Sequence, residues 1–115
     1  MNRPDVLLAK LTSRPKPAGF PDHVVLPDYD GLSIARVPDL VFSALGLNAR
    51  PGELVDRVSP PRVDRVLLVI LDGLGYRRLA ELAAEGARSD FDALAAPGMC
   101  IPLTTVFPSS SARRR

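Results

Sequence analysis

Cysteine, histidine and long apolar runs are scarce or missing in this 115-residue sequence, and each shortage closes off a class of protein. The single cysteine, Cys100, cannot build a disulfide framework, and inside an apolar stretch it reads as a small hydrophobe. The single histidine, His23, stands beside Val24 and Val25 and reads as an ordinary strand residue rather than a metal ligand. No apolar stretch approaches the roughly 18 residues of a membrane-spanning helix. Pro4, Pro15 and Pro17 interrupt the opening residues, so no signal-peptide core forms there. A reducing, cytoplasmic setting with no membrane partner is therefore expected. The net charge of +2 owes its sign to the terminal triplet Arg113-Arg114-Arg115, which is too short to read as a nucleic-acid footprint. No internal repeat is present.

What is there is concentrated in one stretch. Val66 to Leu71 is an unbroken aliphatic run that ends in Asp72 and is followed by Gly73 and Gly75. The run is too uniformly apolar for a half-exposed strand, which would alternate, and too short to span a membrane. It predicts a central strand covered on both faces, with Asp72 at its carboxyl end, where ligands gather in open α/β sheets. The glycines allow a sharp turn and a close approach of backbone to ligand.

Elsewhere the twelve prolines divide the chain. Residues 1–22 read as an irregular arm, because Arg14-Pro-Lys-Pro-Ala-Gly forbids a continuing helix. His23 to Leu26 suits a brief or edge strand stopped by Pro27, and Asp28-Tyr-Asp-Gly31 is a turn. Apolar residues at helical spacing predict a helix over about Pro38 to Leu45 capped by Gly46. Asn48 to Arg62, with Pro51, Pro60 and Pro61, reads as a surface connection. After Gly75 the period becomes 3.6, with Tyr76, Leu79, Leu82 and Ala83 on one face and Gly86 as the cap. Phe91 to Ala95 adds a further turn. Met99 to Phe107 then reads as a second strand, parallel to the first because a helix intervenes. Pro108-Ser109-Ser110-Ser111-Ala112 has the residue types of a helix start.

A carboxylate and a hydroxyl at the ends of two successive strands point to metal-assisted hydrolysis, since a bound cation lowers the pKa of a coordinated hydroxyl. Leu-Val-Ile-Leu-Asp72-Gly-Leu-Gly, an intervening helix, and Pro-Leu-Thr-Thr-Val-Phe-Pro-Ser-Ser-Ser-Ala112 resemble the start of the phosphodiesterase and nucleotide-pyrophosphatase branch (type I) of the alkaline-phosphatase superfamily. Leu26-Pro-Asp-Tyr-Asp-Gly-Leu-Ser-Ile-Ala-Arg-Val-Pro38 is similar to the lead-in of bacterial members. The resemblance runs over about residues 24 to 112. It implies the N-terminal part of a doubly wound, mostly parallel α/β sheet, with residues 23–112 an incomplete hydrolytic domain and 113–115 a basic tail. It further implies two divalent ions, usually zinc, in the complete protein, and a phosphate-ester or nucleotide-like small-molecule substrate. By motif, Asp72 would be a metal ligand and Ser111, with Ser110 second, the nucleophile that becomes phosphorylated. Val106 stands where some members place a nucleophilic threonine. Members of the family run several times longer and carry further Asp and His ligands, so the resemblance implies a fragment that is inactive by itself. Sheet strands left without neighbours would expose Leu67, Val69 and their surroundings. A second reading of the residues is a small noncatalytic α/β module that uses Gly73, Gly75 and the helix near Tyr76 to bind an anion or a partner protein.

Overall fold

The computed structural model describes residues 3–86 and 97–107. Its elements are helices: α1 (Arg3–Thr12), a short 3₁₀ turn (Ile34–Arg36), α2 (Val37–Ala44), α3 (Glu53–Val58) and α4 (Tyr76–Ala84). Among the described residues the only β pairing is a single parallel bridge between Ser33 and Thr104. The expected doubly wound α/β sheet is therefore overturned. A strand is a property of a pair, and Val66 to Leu71 has no ladder beside it among the described residues. Its side chains stand in solvent, Leu67 at 89 % and Ile70 at 81 % exposure, instead of being covered on both faces. Nor is Met99 to Phe107 a strand beside it, since its one bridge goes to Ser33. His23 to Leu26 likewise belongs to no strand.

The chain forms two compact units, Met1–Val66 with Pro102–Arg115, and Leu67–Ile101. In the first, α1 occupies residues that the prolines made look like a loose arm. Pro15 and Pro17 lie beyond Thr12, so they end a helix without preventing one. Leu7 and Leu11, four residues apart and on one face, are its buried positions. The supposed surface connection contains α3, framed by Pro51 before it and Pro60-Pro61 after it. Leu54 buries its apolar side, and Ser59 ends the helix in left-handed backbone at φ 45°, its N–H donating to the Val55 carbonyl at 2.7 Å. Lys10 of α1 reaches Glu53 of α3 at 2.8 Å, and Arg57 meets the same carboxylate oxygen at 2.9 Å.

The helix expected at Pro38 to Leu45 is present as α2. Ser33 caps the 3₁₀ turn before it by accepting the Ala35 N–H at 3.1 Å. Pro38 sits in its first turn, where a missing N–H costs nothing. Gly46, at φ 70°, reverses the chain, and the Gly46 and Leu47 amides donate back to Ser43 and Phe42 at 3.0 and 2.9 Å. α2 packs on α3. Beneath them Arg36 is buried, paired with Asp39 at 3.1 Å and donating to the Pro51 carbonyl at 2.9 Å. Leu7, Leu11, Leu32, Ala44, Leu54 and Pro102 complete a small interior.

In the second unit, α4 begins after Gly75 and ends before Gly86, whose φ of 76° serves the expected cap. None of its residues is buried. Cys100, read as a small hydrophobe inside a strand, is exposed. The turn expected at Phe91 to Ala95 and the basic tail 113–115 lie outside the described residues. No helix among them is long and apolar enough to cross a membrane.

Candidate functional site

Asp72, in the second unit, ends the aliphatic run. Gly73 turns the chain there at φ 77°, a conformation that an L side chain rarely adopts. One carboxylate oxygen, Oδ1, accepts the Gly73 N–H at 2.9 Å, which is an Asx-type turn, and the side chain is exposed. Four residues on from Asp72, α4 starts at Tyr76, with Gly75 as its N-cap residue. The buried strand that was to carry Asp72 at its carboxyl end is absent. An exposed carboxylate with a free oxygen edge is a competent ligand for a hard or borderline cation. No group of three or more His, Cys, Asp or Glu comes together among the described residues. The described residues therefore do not by themselves make a two-ion centre.

Ser110 and Ser111, the nucleophile candidates, lie outside the described residues, as does Ser109. The stretch that leads to them is built in detail. Pro102 is fully buried, and Thr104 makes four hydrogen bonds with the turn before α2. Its N–H donates to the Leu32 carbonyl at 2.8 Å and its carbonyl accepts the Ile34 N–H at 2.9 Å, giving the parallel bridge. Its hydroxyl donates to the Leu32 carbonyl at 2.9 Å and accepts the Asp28 N–H at 2.9 Å. No buried side-chain nitrogen or oxygen among the described residues lacks a partner. Further along, the Tyr29 hydroxyl accepts the Phe107 N–H at 3.1 Å, and the Phe20 and Phe107 rings meet edge-on with centroids 6.2 Å apart.

Thus the two sequence motifs at Leu26–Pro38 and Pro102–Phe107 are physically joined, which sequence reading had not anticipated. Thr104, Tyr29 and Phe20 carried no chemical signature that would have foretold the contact. Other features contribute less. His23 is exposed and belongs to no strand. A shallow depression of about 640 Å³ is lined by Pro51, Gly52, Glu53, Asp56 and Arg57. Its Glu53 is already engaged: the hydrogen bond from Lys10, with Arg57 adding to it, holds the carboxyl below the usual glutamate value against the opposing effect of burial.

Comparison with protein-family models, with curated proteins and with solved structures finds no match to this chain.

Proposed function

We propose that this chain is the N-terminal portion of a metal-dependent phosphodiesterase or nucleotide pyrophosphatase, acting on a phosphate-ester or nucleotide-like small molecule in the cytoplasm. Within that protein Asp72 is one ligand of a pair of divalent ions, usually zinc, whose other ligands come from sequence outside this chain. The nucleophile is Ser111, with Ser110 second. The serine oxygen bonds to phosphorus as the ester or anhydride oxygen leaves with its electron pair, and water then cleaves the serine–phosphorus linkage to restore the hydroxyl. The observation that supports this reading is the exposed Asp72 carboxylate at a glycine turn, followed in sequence by a segment anchored firmly up to the Phe-Pro-Ser-Ser-Ser motif. The assignment to the cytoplasm rests on the lone cysteine.

The 115-residue chain is expected to leave a chromogenic phosphodiester unhydrolysed, whereas a polypeptide extended by the sequence encoded downstream hydrolyses it. In the extended protein Ser111→Ala abolishes turnover and leaves the metal content intact, while Asp72→Asn lowers both metal affinity and rate. Retained activity in Ser111→Ala moves the nucleophile to Ser110 or Ser109. Full activity in all three alanine variants refutes a phosphorylated-serine intermediate.

A further inference from the structure

The chain contains two Asp-Gly pairs, Asp30-Gly31 and Asp72-Gly73, and the fold treats them differently. Such a pair is chemically vulnerable, because the glycine nitrogen can attack the aspartate carboxyl carbon with no β-carbon in the way. Attack requires a main chain free to bend, an amide not committed to a distant acceptor, and water at hand. At Asp30-Gly31 these conditions fail. Gly31 is buried, and its N–H donates to the Asp28 carbonyl at 2.9 Å, inside the turn at residues 28–31. The next amide, that of Leu32, donates to the Asp28 carboxylate at 3.2 Å, and a β-carbon on Gly31 would run into that same carboxylate. Freeing Gly31 means undoing the turn whose Asp28 N–H donates to the Thr104 hydroxyl.

At Asp72-Gly73 the conditions are met. Residues 71–75 are exposed, and nothing lies within 4 Å of where a β-carbon on Gly73 would stand. The Gly73 N–H donates to Oδ1 of Asp72 at 2.9 Å. The nitrogen is thus held beside the very group that it attacks, so little freedom remains to be lost on the way to reaction.

We propose that Asp72-Gly73 is a site of spontaneous succinimide formation and conversion to isoaspartate, and that Asp30-Gly31 in the same chain is spared by its turn. The Gly73 nitrogen bonds to Cγ of Asp72, and the displaced carboxyl oxygen leaves as water with the amide hydrogen and one further proton. Water then opens the ring. Cleavage of the new bond to Cγ restores aspartate. Cleavage of the bond between the nitrogen and the main-chain carbonyl carbon of Asp72 routes the chain through Cβ and Cγ and leaves that carbonyl as a free carboxylate. No oxidant or cofactor enters. This chemistry stands apart from the phosphodiesterase reading; where that reading holds, conversion also removes the side-chain carboxylate that Asp72 would offer to metal.

The test incubates the 115-residue chain at neutral pH in heavy-oxygen water, since each ring opening places one heavy oxygen in either product. After digestion, mass spectrometry of the peptides that carry Asp72 and Asp30 gives the two rates. The Asp72 peptide is expected to take up label at least about tenfold faster, equivalent to a barrier lower by ~1.4 kcal/mol, and to become a methyl acceptor for an isoaspartyl methyltransferase. In concentrated urea the two rates converge, because the turn that protects Gly31 is gone. Equal rates in the folded chain overturn the proposal. A difference that persists undiminished in urea also overturns it, since flanking sequence and not the fold would then be the cause. Asp72→Glu keeps the charge at this exposed position but can close only a larger ring, and label in that peptide is expected to disappear. Label that remains there belongs to another residue and likewise overturns the proposal.

Discussion

Two non-helical stretches of this chain, Val66–Leu71 and Pro102–Phe107, stand in opposite circumstances. The first is aliphatic throughout and has the stronger strand character by composition, yet its side chains lie in solvent. The second contains a proline and two threonines, and it is the one that is held. The difference lies in partners. Thr104 offers a hydroxyl that can donate and accept at once, and the turn at Asp28–Ile34 presents a carbonyl and an amide in reach of it. Leu, Val and Ile offer nothing directional, so their burial depends on an apolar surface arriving to cover them. Polar anchoring fixes one segment against one neighbour, whereas apolar character alone leaves the neighbour unspecified.

If polar anchoring governs the first unit, its most deeply buried charge is the place to break it. Arg36→Met leaves Asp39 and the Pro51 carbonyl facing an apolar side chain, and a loss of roughly 3 kcal/mol is expected, a large share of the stability of a small domain. Urea unfolding followed by circular dichroism measures it, and a loss below about 1 kcal/mol would show that packing, not the ion pair, holds α2 in place. The next effect is smaller and depends on pH. Because the Glu53 carboxyl is held below its ordinary value, first by Lys10, its contribution is fully present above the unfolded pKa and fades as pH falls through the lower folded value. A partly exposed pair of this kind is worth about 0.2–1 kcal/mol. Lys10→Met should raise the Glu53 titration midpoint seen by NMR and flatten the acid limb of stability; an unmoved midpoint would remove the link between α1 and α3. The smallest effect on stability is expected in the aliphatic run. The double substitution Leu67→Glu, Ile70→Glu should change unfolding free energy by no more than about 0.5 kcal/mol, since neither side chain is buried, while eliminating binding of a hydrophobic dye. A loss of 2 kcal/mol or more would mean that the run is covered in solution.

The sequence made some of this legible and concealed the rest for identifiable reasons. α2 and α4 were readable because helical spacing and glycine caps are local signals, and Gly46 and Gly86 adopt the positive φ that their positions implied. α1 and α3 were missed because prolines were read as breaking the segments they merely bound. The sheet was wrongly expected because Val66–Leu71 specifies a conformation and an affinity for apolar surface, neither of which supplies a second strand. The turn at Asp72 and Gly73 is settled within two residues by Asp-Gly chemistry, but the buried strand expected to end in it is absent. The anchoring of Thr104 was invisible because its partners lie 72 and 76 positions away, and a threonine among apolar residues looks like any other strand residue.

That separation has a consequence in time. A polypeptide emerging residue by residue has made Asp28, Leu32 and Ile34 long before Thr104 exists, and the whole of Leu67–Ile101 is synthesised in between. Closing a loop of this length costs roughly 4 kcal/mol of chain entropy on a logarithmic scale, to be offset by hydrogen bonds that form only once both ends are present. α1, α2 and α3 can form early from local contacts, and the lead-in turn must wait with its amides and carbonyls hydrated. The Ser33–Thr104 bridge is accordingly the late event in the maturation of the first unit, and a nascent chain halted before Thr104 holds its helices without the clasp that closes them.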